Sequence, residues 1–133
     1  MKYAHYRILS ILIMVSMLFS LLPITYAGAV ELKDLTYEII NGEVTITDCN
    51  TSVSGKLVIP DTIDGYPVTG IGKQAFLGCD LLSNIVLPDS VPSIGAYAFY
   101  NCTALKKVTF SGENHLQIIN QQAFENCALE GVI

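Results

Sequence analysis

The sequence is short of the residues that most often carry chemistry. Among its 133 residues histidine occurs twice, lysine and arginine together seven times, and no C-x-x-C pair is present. Each shortage closes a class of function. Twelve carboxylates against seven cations give a formal charge of −5; that balance repels a polyphosphate, so no nucleic-acid partner is expected. Without paired cysteines or clustered histidines a zinc site has no ligands, and no metal or other cofactor is expected. A nucleophile and its base would have to rest on His115, which lies in the polar segment 112–115, where an exposed loop histidine is the simpler reading. No catalytic residue is assigned, and the chain is not read as an enzyme. Gly70-Ile71-Gly72 lacks the further glycines and the lysine of a phosphate loop. The carboxylates Asp61, Asp64, Asp80 and Asp89 fall at turn positions, where Asp supplies bonds to nearby backbone.

Apolar residues make up 51% of the chain, but they are unevenly spread: 19 fall in the first 27 positions and 49 in the other 106. The second density, about 46%, is ordinary for a globular domain, and about 100 residues make one domain. The first density belongs to an address. Lys2 and Arg7 precede an apolar run over residues 8–22 that is interrupted only by Ser10, Ser16 and Ser20; Pro23 stops it, and Ala27, Gly28 and Ala29 follow. This is the three-part pattern of a secretory signal peptide over residues 1–29, with cleavage after Ala27 or Ala29. Fifteen helical residues span about 22 Å against a hydrocarbon core of about 30 Å. Membrane attachment is therefore expected only where the signal stays uncleaved. Once it is removed, five lysines face twelve carboxylates, a net charge of −7.

The rest of the chain repeats. Ile71, Ala75, Phe76 and Cys79 recur as Ile94, Ala98, Phe99 and Cys102, then as Ile119, Ala123, Phe124 and Cys127. The offsets are 23 and 25 residues, with the two extra residues assigned to the polar segment 111–115. Leu82, Ile85 and Leu87 follow Cys79 at the same spacing as Leu105, Val108 and Phe110 follow Cys102. A period of this size marks a solenoid of the leucine-rich class, one coil per repeat. Alternation of Val108 and Phe110 with Lys107 and Thr109 predicts a short strand with one face buried, and stacked coils make a parallel sheet. The Ile-x-x-x-Ala-Phe segment is expected to return as a helical or 3₁₀ turn, each Ala admitting the neighbouring coil and each Phe filling the interior. Before the repeats, Asn41-Gly42 between two alternating runs predicts a β-hairpin. The expected organisation is an N-terminal cap over residues 30–60 followed by repeats over 61–133, the last of them truncated because the sequence stops inside a predicted strand.

At these residues the chain resembles the BspA-like leucine-rich repeat proteins, which are surface or secreted proteins of bacteria and some protists. The resemblance rests on Asn41-Gly42-Glu43-Val44-Thr45-Ile46, Leu57-Val58-Ile59-Pro60, the run from Ile63-Asp64-Gly65-Tyr66-Pro67 to Gly70-Ile71-Gly72, and the in-phase Ile-Gly-x-x-Ala-Phe-x-x-Cys repeats. It departs from the pattern at Asn120, which stands where the repeat usually has glycine. The resemblance implies adhesion or ligand binding at the cell surface, and it carries no catalytic residues across.

Four cysteines in an exported chain allow three pairings. Cys79, Cys102 and Cys127 occupy one repeat position, where such repeats point a Cys into the coil toward turn backbone. Buried thiols are the expectation there, and a disulfide between adjacent coils stays open because coils about 5 Å apart fall within bonding range. Cys49 is read as lying outside this column, in the cap.

The exposed side of the parallel sheet is the candidate ligand surface. Its stripe comprises Lys56, Val58, Asn84, Val86, Lys107 and Thr109. The expected partner is a protein or glycan outside the cell, met across the concave face. The competing reading is a non-catalytic structural repeat of a longer surface protein. An uncapped third coil also leaves the chain open to self-association.

Overall fold

The computed structural model describes residues 32–131; the signal-peptide assignment over 1–29 lies outside them. After a 3₁₀ turn at Leu32–Asp34 come two antiparallel strands, β1 (Leu35–Ile40) and β2 (Glu43–Cys49). Their turn is Asn41-Gly42, with φ of 53° and 80°, the doubly left-handed pair of a type I′ turn, whose twist matches that of the flanking strands. Along β2, Val44 and Ile46 point into the core and are fully buried. Leu35 from β1 and Val53 beyond β2 close over the same end of the core, at 8% and 5% exposure.

From β2 onward the chain winds as a solenoid with two parallel stacks. One stack runs β3 (Gly55–Val58), β6 (Leu82–Leu87) and β8 (Lys107–Phe110), with Leu57, Ile85 and Val108 in register. Their inward placement follows from the period of two that a strand imposes on its side chains. The other stack continues from β2 to β5 (Tyr66–Ile71), β7 (Ser93–Ile94) and β9 (Ile118–Ile119), where Ile46, Ile71, Ile94 and Ile119 form one column. A second hairpin, not anticipated from the sequence, joins β4 (Thr62–Ile63) to β5 through Asp64-Gly65, with φ of 52° and 81°.

The returning Ala-Phe segments are runs of turns; the sole helical piece among the described residues is the 3₁₀ turn at Leu32–Asp34. Two features prevent a helix. Residues at the start and end of each segment are left-handed: Gln74 and Gly78, Tyr97 and Asn101, Gln122 and Asn126. Amides then alternate between partners. Ala75, Leu77 and Cys79 donate to carbonyls three residues back, while Gln74, Phe76 and Gly78 donate to Ala96, Ala98 and Tyr100 of the next coil. The turn thus satisfies its own backbone and ties one coil to the next.

Inside, the phenylalanines stack face to face at coil spacing. Phe76 and Phe99 have ring centroids 4.8 Å apart, and Phe99 and Phe124 5.1 Å. Gly95 lies against Gly72 so closely that a Cβ on it would fall 2.5 Å from the Gly72 carbonyl carbon. At Gly95 the coil approach leaves no room for a Cβ. Among the described residues every buried side-chain nitrogen and oxygen has a hydrogen-bond partner. The third coil is less enclosed: Ile118 and Ile119 are 55% and 50% exposed, against 3% for Ile71 and 0% for Ile94.

Candidate functional site

Strand register assembles the six stripe residues into two columns. Lys56 pairs with Asn84 and Asn84 with Lys107; Val58 pairs with Val86 and Val86 with Thr109. Because Leu57, Ile85 and Val108 turn inward between them, the columns face outward together. Lys56, Val58 and Lys107 are exposed, whereas Asn84, Val86 and Thr109 are half-buried. Two strand spacings separate the lysine backbones, roughly 10 Å. The face therefore presents a cationic and amide column beside a largely apolar one.

At the β8 end this face borders a groove of about 700 Å³, to which Asn84, Lys107 and Thr109 contribute, with Phe110, Asn114 and Glu130 on its other sides. Lys56, Val58 and Val86 lie on the sheet beyond it. Lys106 forms an exposed ion pair with Glu130 at 2.8 Å, and that hydrogen bond and charge hold its ammonium above the usual lysine range. Solvent screens such a pair, so it orients the groove edge more than it stabilises the fold. Sequence spacing did not locate the groove. Asn114 sits in a segment identified only as an insertion, and Glu130 reaches the site by its N–H donating to the Lys106 carbonyl, 24 residues earlier.

The cysteine column sits inside the coils. Cys102 Sγ donates to the Phe76 carbonyl and Cys127 Sγ to the Phe99 carbonyl, each at 3.0 Å. Cys49 ends β2 in the cap, and its thiol donates to the Asn50 carbonyl at 3.6 Å; it neighbours the Cys79 thiol, so it extends the column into the cap rather than lying apart from it. The neighbouring Cys79 thiol, followed by burial, pushes the Cys49 thiol well above the ordinary range, and the neighbouring Cys127 thiol, followed by burial, does the same for Cys102; the same neighbours hold Cys79 and Cys127 below it. Cys49 and Cys102, held protonated, are poor nucleophiles. All four are free in the structure.

Polar residues elsewhere have local work. Asp64 accepts the Tyr37 hydroxyl at 2.7 Å, joining the two hairpins, and this hydrogen bond holds the phenol above its ordinary range. Asp61 accepts from Ser111 Oγ at 3.0 Å across two coils. His115 is exposed in the loop before β9. Among the described residues no group of three or more His, Cys, Asp or Glu side chains could hold a metal ion, and no helix is long and apolar enough to cross a membrane.

Comparison with known proteins matches this architecture. The model of the BspA type leucine rich repeat region matches residues 56–133 in six copies. Among solved structures, the leucine rich repeat protein of T. pallidum superposes with a TM-score of 0.71 at 31% identity, over 79% of this chain and 49% of that one. A leucine rich cell surface protein from Faecalibacterium prausnitzii A2-165 gives 0.61 at 31% identity, over 70% and 26%. A leucine-rich repeat protein from Bacteroides capillosus ATCC 29799 gives 0.59 at 27% identity, over 77% and 94%. The chain spans about half the length of the first of these proteins and about a quarter of the second. No curated protein matches it.

Proposed function

The chain belongs to the BspA-type leucine-rich repeat family, and from that premise we propose that it is an exported interaction protein, secreted or held at the cell surface. Its ligand is a protein or glycan, taken across the outer face of the β3–β6–β8 sheet. The observation that carries this reading is the alignment of Lys56, Asn84 and Lys107 beside Val58, Val86 and Thr109. Ammonium and amide groups on a rigid sheet can engage carboxylates and hydroxyls, and the valine column offers apolar contact without loop ordering. BspA-type repeats are typically non-catalytic, which agrees with a surface built for contact. Export is supported by the basic, apolar and small-residue pattern of residues 1–29 and by the cell-surface description of the F. prausnitzii relative.

The test begins with the whole chain expressed in a bacterium and recovered from the medium or envelope. Its N-terminus should be Gly28 or Val30. Binding to immobilised extracellular-matrix proteins and to a glycan array is then compared with a variant carrying Lys56→Ala, Asn84→Ala and Lys107→Ala. A loss of about tenfold or more in affinity for whichever ligand binds is expected. Equal binding by the variant would remove the stripe as the site, and no binding by the wild-type chain would favour a purely structural repeat.

A further inference from the structure

The turn segments that leave β5, β7 and β9 form a ridge along one edge of the solenoid. Gln74, Tyr97 and Gln122 occupy one repeat position on it, and Leu77, Tyr100 and Glu125 another. The first position is left-handed in all three coils, with φ of 61°, 58° and 53°. Glycine takes such backbone at least cost, yet each coil carries there a long side chain with hydrogen-bonding atoms, and none of the three is buried. Tyr97 therefore bears backbone strain without filling the core, and strain of this kind gathers where a side chain is presented for use.

The ring that Tyr97 presents meets Tyr100. Their centroids are 5.7 Å apart and their planes 62° from parallel, an edge-to-face corner in which both rings stay partly exposed. The pair belongs to the second coil, with the first and third on either side, so its exposure is that of a flanked turn. Gln121 Nε2 donates to the Tyr97 hydroxyl at 3.5 Å. Every amide from Tyr97 to Asn101 donates to a carbonyl, so the corner is held before any ligand arrives.

Three features select its occupant. Across residues 73–78, 96–101 and 121–126 the charged residues are Lys73 and Glu125, which cancel, in a chain of net charge −5; nothing there gathers an acidic sugar or a phosphate. Amide groups and a phenol hydroxyl supply donors and acceptors together, the same double capacity as a sugar hydroxyl. The two rings add flat apolar faces, which match the C–H face of a pyranose. The lysine stripe holds no aromatic residue, so the two surfaces differ in kind.

We propose that the ridge centred on Tyr97 and Tyr100 binds an uncharged glycan, with a pyranose ring in the tyrosine corner and its hydroxyls on the flanking Gln74 and Gln121. This surface is separate from the stripe and does not rest on it.

Affinity electrophoresis of the full chain tests it, in native gels containing a neutral glucan, xylan, mannan or galactan, with polygalacturonate as the anionic comparison. Retardation is expected in at least one neutral gel, and a variant carrying Tyr97→Gln and Tyr100→Leu should lose about tenfold or more of that affinity. Both substitutions copy the first coil, which holds Gln74 and Leu77 at these positions, so the turn should still fold. The variant with Lys56→Ala, Asn84→Ala and Lys107→Ala should be retarded like the wild type. Ring-proton resonances supply a readout that needs no variant: on titration with an oligosaccharide of the retarding polymer, those of Tyr97 and Tyr100 should shift while those of Tyr37 and Tyr66 stay in place. Free migration of the wild type in every neutral gel, retardation by polygalacturonate alone, equal retardation of the tyrosine variant, or a loss confined to the stripe variant would each overturn the proposal.

Discussion

The second and third coils share Ile, Ala, Phe, Asn and Cys at matching positions, yet these residues are not equally buried. Ile94, Phe99 and Cys102 are wholly enclosed, whereas Ile119 is half exposed and Phe124 and Cys127 only partly buried. The difference does not lie in these shared residues or in local geometry, since the turns repeat their left-handed positions in both coils. It lies in the neighbour. In a solenoid the stabilisation of a residue is set by whether another coil follows, so identical motifs have unequal energetic weight.

Truncating the two phenylalanines in turn would break this contrast most sharply. Phe99 stacks on a ring at each face, and Phe99→Ala should cost about 3–5 kcal/mol in chemical denaturation, the range for a buried phenylalanine. Phe124→Ala removes a ring stacked on one described face only, and should cost about half as much or less. Similar losses at both positions would show that the third coil is as tightly held as the second.

A smaller effect is expected at the glycine column. Gly95→Ala places a methyl 2.5 Å from the backbone of Gly72, and forced separation of the coils should cost about 1–3 kcal/mol. In the third coil the corresponding residue is Asn120, whose Nδ2 donates to the Ile94 carbonyl at 2.8 Å. Asn120→Gly loses that bond and should cost about 1 kcal/mol. Thermal or urea denaturation of both variants would separate a coil contact that needs glycine from the equivalent contact that has exchanged it for a hydrogen bond.

Much of this architecture is legible in the residues because the coils are short and in phase. Ile, Ala, Phe and Cys recur at fixed spacing, and alternation around Val108 identifies the strand face. The stripe was readable for the same reason, since a period of two separates Lys107 and Thr109 from Val108. The turn conformation was not legible. Gly78, Asn101 and Asn126 are residue types that favour left-handed backbone, but Gln74, Tyr97 and Gln122 give no such signal, and the segment resembles a helical turn until its amides are seen bonding to the next coil. Cys49 was missed by spacing: it lies eight residues before Leu57, whereas Cys79 lies six before the equivalent Ile85. The cap omits the Ala-Phe segment, so counting from the repeat fails there. Asp64-Gly65 carried the same hairpin signature as Asn41-Gly42, but the two-residue strand before it was too short to register as alternation.

Amide hydrogen exchange, read residue by residue at a concentration where the chain is monomeric, tests the central claim that burial passes from coil to coil through like neighbours. The amides of Phe76 and Phe99, each bonded to the following coil at 2.7 and 2.8 Å, should exchange slowest. Those of residues 118–127 should exchange markedly faster, although their motif is the same. Uniform protection across all three coils would contradict the account, because residue identity rather than the covering neighbour would then be setting stability.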